Sequence, residues 1–211
     1  MAGGAGPVPN RQEQRSRDTQ LRLLDATVEC LSERGWVGTT TTLVAERAGV
    51  SRGAQLHHYP TKSALVLAAV SHLAQRRADE VRTEVAALPP GGDRIATTVA
   101  LLASIFTGPL FVAALEVWVA ARTDDELRVA LLPVETRFGR HLHRLTVELL
   151  GADETRPGVR ESVQATLDLL RGLGVANLLS DDSARRTRLL AVWTTNLRRA
   201  LAPPDEETNH G

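Results

Sequence analysis

The stretch Thr39-Thr40-Thr41-Thr42-Leu43-Val44-Ala45-Glu46-Arg47-Ala48-Gly49-Val50-Ser51-Arg52-Gly53-Ala54-Gln55-Leu56-His57-His58-Tyr59-Pro60-Thr61-Lys62 decides how this chain folds. The threonine run offers N-caps, since a side-chain hydroxyl there accepts a bond from an otherwise unpaired amide, and a short helix through Ala48 follows. Gly49-Val50-Ser51 reads as a turn: a glycine free of the Cβ penalty, an apolar plug and a new N-cap. A further short helix runs from Arg52 to about Tyr59, and Pro60 stops it. Thr61 can cap a long helix from Lys62 to about Ala87. Two short capped helices joined by a glycine turn have the pattern of a helix-turn-helix, with Ala45, Gly49 and Val50 where the helices must approach closely. A generic αα-corner has the same outline.

Outward from this stretch the periodicity is helical. Leu21, Leu24, Val28 and Leu31 make one stripe of an amphipathic helix over about Ser16–Arg34, stopped by Gly35. Downstream, Leu88-Pro89-Pro90-Gly91-Gly92 is the clearest break. Asp93 caps a helix to about Thr107, and Gly108-Pro109 opens another that reaches Arg122. That helix is apolar on every face except at Glu116, so it is expected to be buried. Thr123-Asp124-Asp125-Glu126 opens a helix that Pro133 should kink or split before Gly151. Two more span about Gly158–Leu179 and Ser183–Leu201. No repeat or strand pattern stands out. The expectation is an all-α protein with a disordered tail over 1–14, a helix-turn-helix domain over 15–62, a helical domain over 63–202 and an acidic tail over 203–211.

Composition narrows the function classes. Lys+Arg and Asp+Glu are both 25, so net charge does not point to nucleic acid. Residues 1–65 carry eight basic against six acidic side chains, with Arg11, Arg15, Arg17 and Arg22 clustered. The single cysteine, Cys30, lies in an apolar stretch and reads as a buried inert thiol; one cysteine forms no intrachain disulfide, which suits a reducing cytoplasm. No apolar run approaches the ~18 residues that span a membrane, and MAGGAGPVPN lacks the basic and apolar regions of a secretory signal. No phosphate loop, nucleophile elbow or metal-spaced His/Cys set stands out, so no enzyme, cofactor or metal is expected. His141 and His143 point to different helix faces, as do the adjacent His57 and His58.

Thr39 to Gly53, continuing through His57-His58-Tyr59-Pro60-Thr61-Lys62-Ser63-Ala64-Leu65 and preceded by Leu31-Ser32-Glu33-Arg34-Gly35-Trp36, closely resembles the signature of the TetR family of transcriptional regulators. The resemblance is detailed over about residues 16–70; beyond that it is one of length and helical character. It implies a three-helix DNA-binding head whose third helix enters the major groove. A fourth helix would link the head to a ligand-binding body. It further implies a homodimer on near-palindromic operator DNA, acting mainly in repression that a small molecule relieves.

Each residue of the motif then has a role to test. Ser51 caps the recognition helix and leaves its first amides able to meet a phosphate. Arg52, at the helix start, reads as a bidentate guanine contact or as a phosphate contact. Gly53 and Ala54 are small enough for the backbone to press into the groove, and Ala54 could touch a thymine methyl. Thr40 offers its hydroxyl and amide to phosphate. The resemblance places His57, His58 and Lys62 near the DNA backbone, and Tyr59 where the family usually has phenylalanine in the core. Arg11, Arg15 and Arg17 read as a basic arm or as a solvated tail. Gln55-Leu56 departs from the family's apolar residue followed by tyrosine. Gln55 then either replaces a core residue or, on a rotated helix, reads adenine.

In the second half, Val163, Leu167, Leu170 and Gly174 form one stripe and Leu190, Trp193, Leu197 and Leu201 another, with Gly172 and Gly174 permitting close approach. These suit a four-helix dimer interface, or the core of one chain. An effector pocket would draw on Glu116 and Trp118, walled by Phe106, Phe111, Phe138, His141 and Trp193; alternatively these aromatics are core and Glu116 pairs with Arg122 or Arg137. A helical ligand-binding or adaptor protein without DNA binding is the competing reading.

Overall fold

The computed structural model describes residues 10–87 and 92–203. Within them the chain is all helix: α1 Arg11–Gly38, α2 Thr41–Ala48, α3 Arg52–His58, α4 Lys62–Ala86, α5 Arg94–Ile105, α6 Pro109–Ala121, α7 Asp125–Leu150, α8 Val159–Ala176 and α9 Ser183–Leu201. Residues 1–9 and 204–211 of the expected tails, and the Leu88–Gly91 part of the expected break, lie outside the described residues.

Local chemistry sets the boundaries. α1 begins earlier than its apolar stripe suggests, because Asn10 and Glu13 make a reciprocal cap. Asn10 Oδ1 accepts from the Gln12 amide (3.4 Å), and Glu13 Oε2 accepts from the Asn10 amide (3.2 Å). Residues 11–14 are therefore helical, not tail, and Arg15 and Arg17 lie on a helix, not on an arm. Its far end is broken at Gly35, whose φ of 66° and ψ of −177° belong to a region essentially reserved for glycine. Side-chain caps start the later helices: Thr61 Oγ1 accepts from Ala64 N (3.1 Å), Asp93 Oδ1 from Ala96 N (3.1 Å) and Asp124 Oδ1 from Leu127 N (2.9 Å). Pro133 does not split α7. The carbonyl it leaves unpaired is that of Val129, and both residues are exposed, so water can satisfy it.

The described residues form two compact units, one within Met1–Leu73 and Val112–Val134, the other within Ala74–Phe111 and Glu135–Gly211. In the first, α1 packs on α2 and α2 on α3. Leu23, Leu31, Val44, Leu65 and Val66 are at its core. α6 is less buried than its composition suggests, since Val119 is 64% exposed. In the second, α5, α8 and α9 pack against one another around Leu102, Leu145, Val163, Leu170 and Leu197. No single helix among the described residues is long and apolar enough to cross a membrane.

Candidate nucleic-acid interface

The turn between α2 and α3 is held from both sides. Thr40 Oγ1 accepts from Leu43 N (3.1 Å) at the start of α2. At its end Gly49 adopts φ 62°, ψ 38°, with Gly49 N donating to Glu46 O (3.1 Å) and Val50 N to Ala45 O (2.9 Å). Those paired bonds are a Schellman closure, which needs a left-handed residue that glycine supplies without strain. Arg22 of α1 adds Nη1 bonds to Ala48 O (3.3 Å) and Gly49 O (3.4 Å). In the sequence Arg22 stands out only as a member of the basic cluster; nothing in its spacing marks it as a cap for another helix. Arg47 of α2 is tied to Glu33 of α1 (2.6 Å), and that bond raises its already high pKa. Ser51 Oγ then accepts from Ala54 N (3.2 Å) and opens α3.

α3 presents Ser51, Arg52, Gly53, Leu56 and His57 to solvent. Arg52 makes no hydrogen bond or ion pair with another described residue, so its guanidinium is available to a ligand. A Cβ placed on Gly53 would meet nothing within 4 Å. A rigid turn thus carries a short, exposed helix with an unspent arginine at its first position. That arrangement can enter a DNA groove.

The family model for bacterial regulatory proteins of the tetR family matches residues 23–69. The HTH-type transcriptional regulator CymR of Pseudomonas putida is 33% identical over 189 residues, covering 87% of this chain and 91% of CymR. The chain belongs to the tetR family. A transcriptional regulator from Pseudomonas aeruginosa PAO1 shares the fold at a TM-score of 0.67 and 23% identity, covering 90% of this chain and 93% of that one. The multidrug binding protein EbrR, solved with imidazole, does so at 0.61 and 21%, covering 94% and 99%. This tetR-family protein is a DNA-binding transcriptional regulator.

Two residues expected at the DNA face of this regulator are turned elsewhere. Gln55 is 0% exposed; its Nε2 donates to Tyr59 O (2.6 Å), while Oε1 has no partner among the described residues. It fills the core-facing position, away from the exposed face of α3. Lys62 is drawn inward as well. Its Nζ donates to Trp36 O and lies 4.2 Å from the centroid of the Trp36 ring, and partial burial lowers its pKa. Tyr59 is half-buried, as a residue in place of phenylalanine should be, and burial raises its pKa. His57 and His58 stack edge to face at 5.5 Å, with His57 exposed. Arg15 and Arg17 are exposed on α1, and Arg17 lines a cleft of about 520 Å³ with Gln20, Leu21, Tyr59, Ser71 and His72.

The residues expected to hold an effector fall in both compact units. Glu116 and Trp118 belong to the first compact unit; Phe106, Phe111, Phe138, His141 and Trp193 belong to the second. Phe106 and Phe111 are buried and pack edge to face at 5.4 Å. Trp193 Nε1 donates to Thr166 Oγ1 (3.0 Å), and His141 Nε2 is 3.4 Å from Gln75 Nε2. Glu116 pairs with neither Arg122 nor Arg137 in the hydrogen bond it makes; Oε2 accepts from the Trp36 amide (3.0 Å).

The dimer stripes also need correction. Val163, Leu167, Leu170, Gly174 and Leu197 are buried within one chain, so they serve its own core. The close approach at Gly174 is internal: a Cβ there would be 2.2 Å from Phe106 O. Leu190, Trp193 and Leu201 are half-buried. The apolar side chains that α8, α9 and the turn between them leave outside are Val175, Leu178, Leu179, Leu189 and Val192.

Proposed function

We propose that this regulator is a homodimeric repressor that binds a near-palindromic operator and leaves it when a small molecule binds. The observation that carries the DNA-binding surface is the exposed, unpaired Arg52 at the start of a doubly capped α3. Arg52 reads a base edge there, while Thr40, Ser51, Gly53, Ala54 and His57 line the approach, and Arg15 and Arg17 are available to phosphate. One short helix contacts too few base pairs for useful affinity, so two copies share the operator. The exposed apolar side chains of α8 and α9 supply the surface for pairing. The small-molecule response is supported by the fold shared with EbrR, which was solved with imidazole. Such a ligand acts by binding better to a conformation whose recognition helices no longer match the roughly 34–36 Å half-site spacing. A protein of this function works beside the chromosome, in the bacterial cytoplasm.

A gel shift with fragments selected from the source genome tests the reading. The expected result is a specific complex whose affinity falls steeply with salt, and falls further in Arg52→Ala. Absence of any shifted fragment at low salt overturns it.

A further inference from the structure

Glu116 is the only charged residue of α6, PLFVAALEVWVAA, and its carboxylate is committed to a single backbone group. Oε2 accepts from the Trp36 amide at 3.0 Å in a partly buried setting. Gly35 explains why that amide needs an acceptor. Its extended ψ of −177° breaks the helical path just before Trp36 and turns the amide out of the α1 ladder. The carbonyl of the same residue is taken by Lys62 Nζ, whose ammonium also faces the indole. Trp36 is therefore gripped at N–H by an anion from α6, and at C=O and ring by a cation from the first residue of α4.

From Trp36 the chain leads directly to the recognition helix. Thr39, 1% exposed, returns to the break through Oγ1 and N, both donating to Gly35 O (2.8 and 3.2 Å). Thr40 is the N-cap of α2, and α2 passes through the Schellman turn into α3. Only Val37, Gly38 and Thr39 lie between Trp36 and the cap that orients α2. We propose that Glu116 is a positioning residue for operator binding: acting through the Trp36 amide, it holds the α1–α2 turn in the geometry that presents α3 to DNA. The inference rests on the operator-binding reading above. It also gives the lone carboxylate of α6 a task other than contact with an effector. A charge-assisted bond to a half-buried amide is worth more than a neutral one, so its loss is felt at the turn and not only in overall stability.

The test uses the full chain with Glu116→Ala and Glu116→Gln, each at a temperature where circular dichroism shows it fully folded. Gln keeps a carbonyl acceptor at the same reach; Ala removes it. Hydrogen exchange at the Trp36 amide should quicken about ten-fold or more in Glu116→Ala and stay within about three-fold of the parent in Glu116→Gln. Operator affinity should follow the same order, about ten-fold weaker in Ala and near the parent in Gln, with the slope against salt unchanged in both because no phosphate contact is lost. A residue that only supports the fold would lower the urea midpoint and leave the affinity of the folded protein alone. Unchanged Trp36 exchange in Glu116→Ala, or operator affinity within about two-fold of the parent, overturns the proposal. The exchange measurement requires no DNA, so failure of the parent to bind any operator is recognised separately from failure of the clamp.

Discussion

Arg52 and Lys62 have the same charge and lie ten residues apart, yet the structure spends them differently. Arg52→Ala is expected to weaken operator binding by about 1–3 kcal/mol and to relax preference at one base pair, checked by titration against single-base operator variants. Lys62→Ala is expected to lower stability by about 1 kcal/mol through the lost Trp36 contact while leaving the salt slope of binding unchanged. A fall in that slope by about one would show that Lys62 reaches a phosphate in the complex after all. Gln55 sharpens the point. Its side chain is sealed in the core with one oxygen unpaired, so Gln55→Leu should retain operator preference, whereas an adenine reader would lose it. These orientations are not legible in the sequence. A seven-residue helix holds fewer than two turns, too little periodicity to say which face Gln55 takes. A lysine's long stem lets its ammonium swing from solvent to a neighbouring carbonyl without any sequence signal. Arg52 is legible because an N-terminal position just after a cap has little to hide behind.

At the scale of elements, glycines and caps carry most of the readable information. Gly49, Ser51, Thr40, Thr61 and Asp93 all do what their types predict, since the need for a left-handed residue or a side-chain acceptor is local. Glycines that matter through distant neighbours are legible only as glycines. Gly174→Ala would force a methyl to 2.2 Å from Phe106 O and 2.8 Å from Phe111 Cε1, so a loss at or above the usual ~1–3 kcal/mol of overpacking is expected in urea unfolding. Gly53→Ala is the opposite case. With open space around it, alanine should raise stability by roughly 0.5–1 kcal/mol, yet weaken the operator complex if the backbone presses into the groove there. The α5 cap makes a pH prediction. Asp93 is held below the usual carboxylate range first by the Ala96 amide and then by Arg198 of α9. Its contribution is therefore complete above the ordinary carboxylate pKa and lost as pH falls through the lowered folded value. Asp93→Asn keeps a capping oxygen but not the ion pair, so urea midpoints should fall less steeply in acid than those of the parent.

For the whole molecule, the informative failure is the dimer surface. Apolar periodicity marks a face that is buried, and Val163, Leu167 and Leu170 are buried, but periodicity cannot say whether the covering partner is the same chain or another. The residues that α8, α9 and the turn between them leave uncovered are the ones that tell. Leu179 is 97% exposed and Val192 63%, with Val175, Leu178 and Leu189 also outside, apolar surface that a second copy could cover. Two such α8–α9 surfaces meeting about a two-fold axis would bury it and bring a second recognition helix to the same operator. Replacing both Leu179 and Val192 by glutamate would set like charges across that axis, a repulsive change that leaves the internal core of each chain untouched. The double variant should therefore stay helical by circular dichroism but run as a monomer in light scattering at micromolar concentration. Its operator affinity should fall by about 100-fold or more, because the second recognition helix no longer binds as a linked module. A dimer that persists in the variant would place the interface elsewhere. A monomer that still holds the operator tightly would mean that one α3, with Arg52 at its start, supplies the affinity alone.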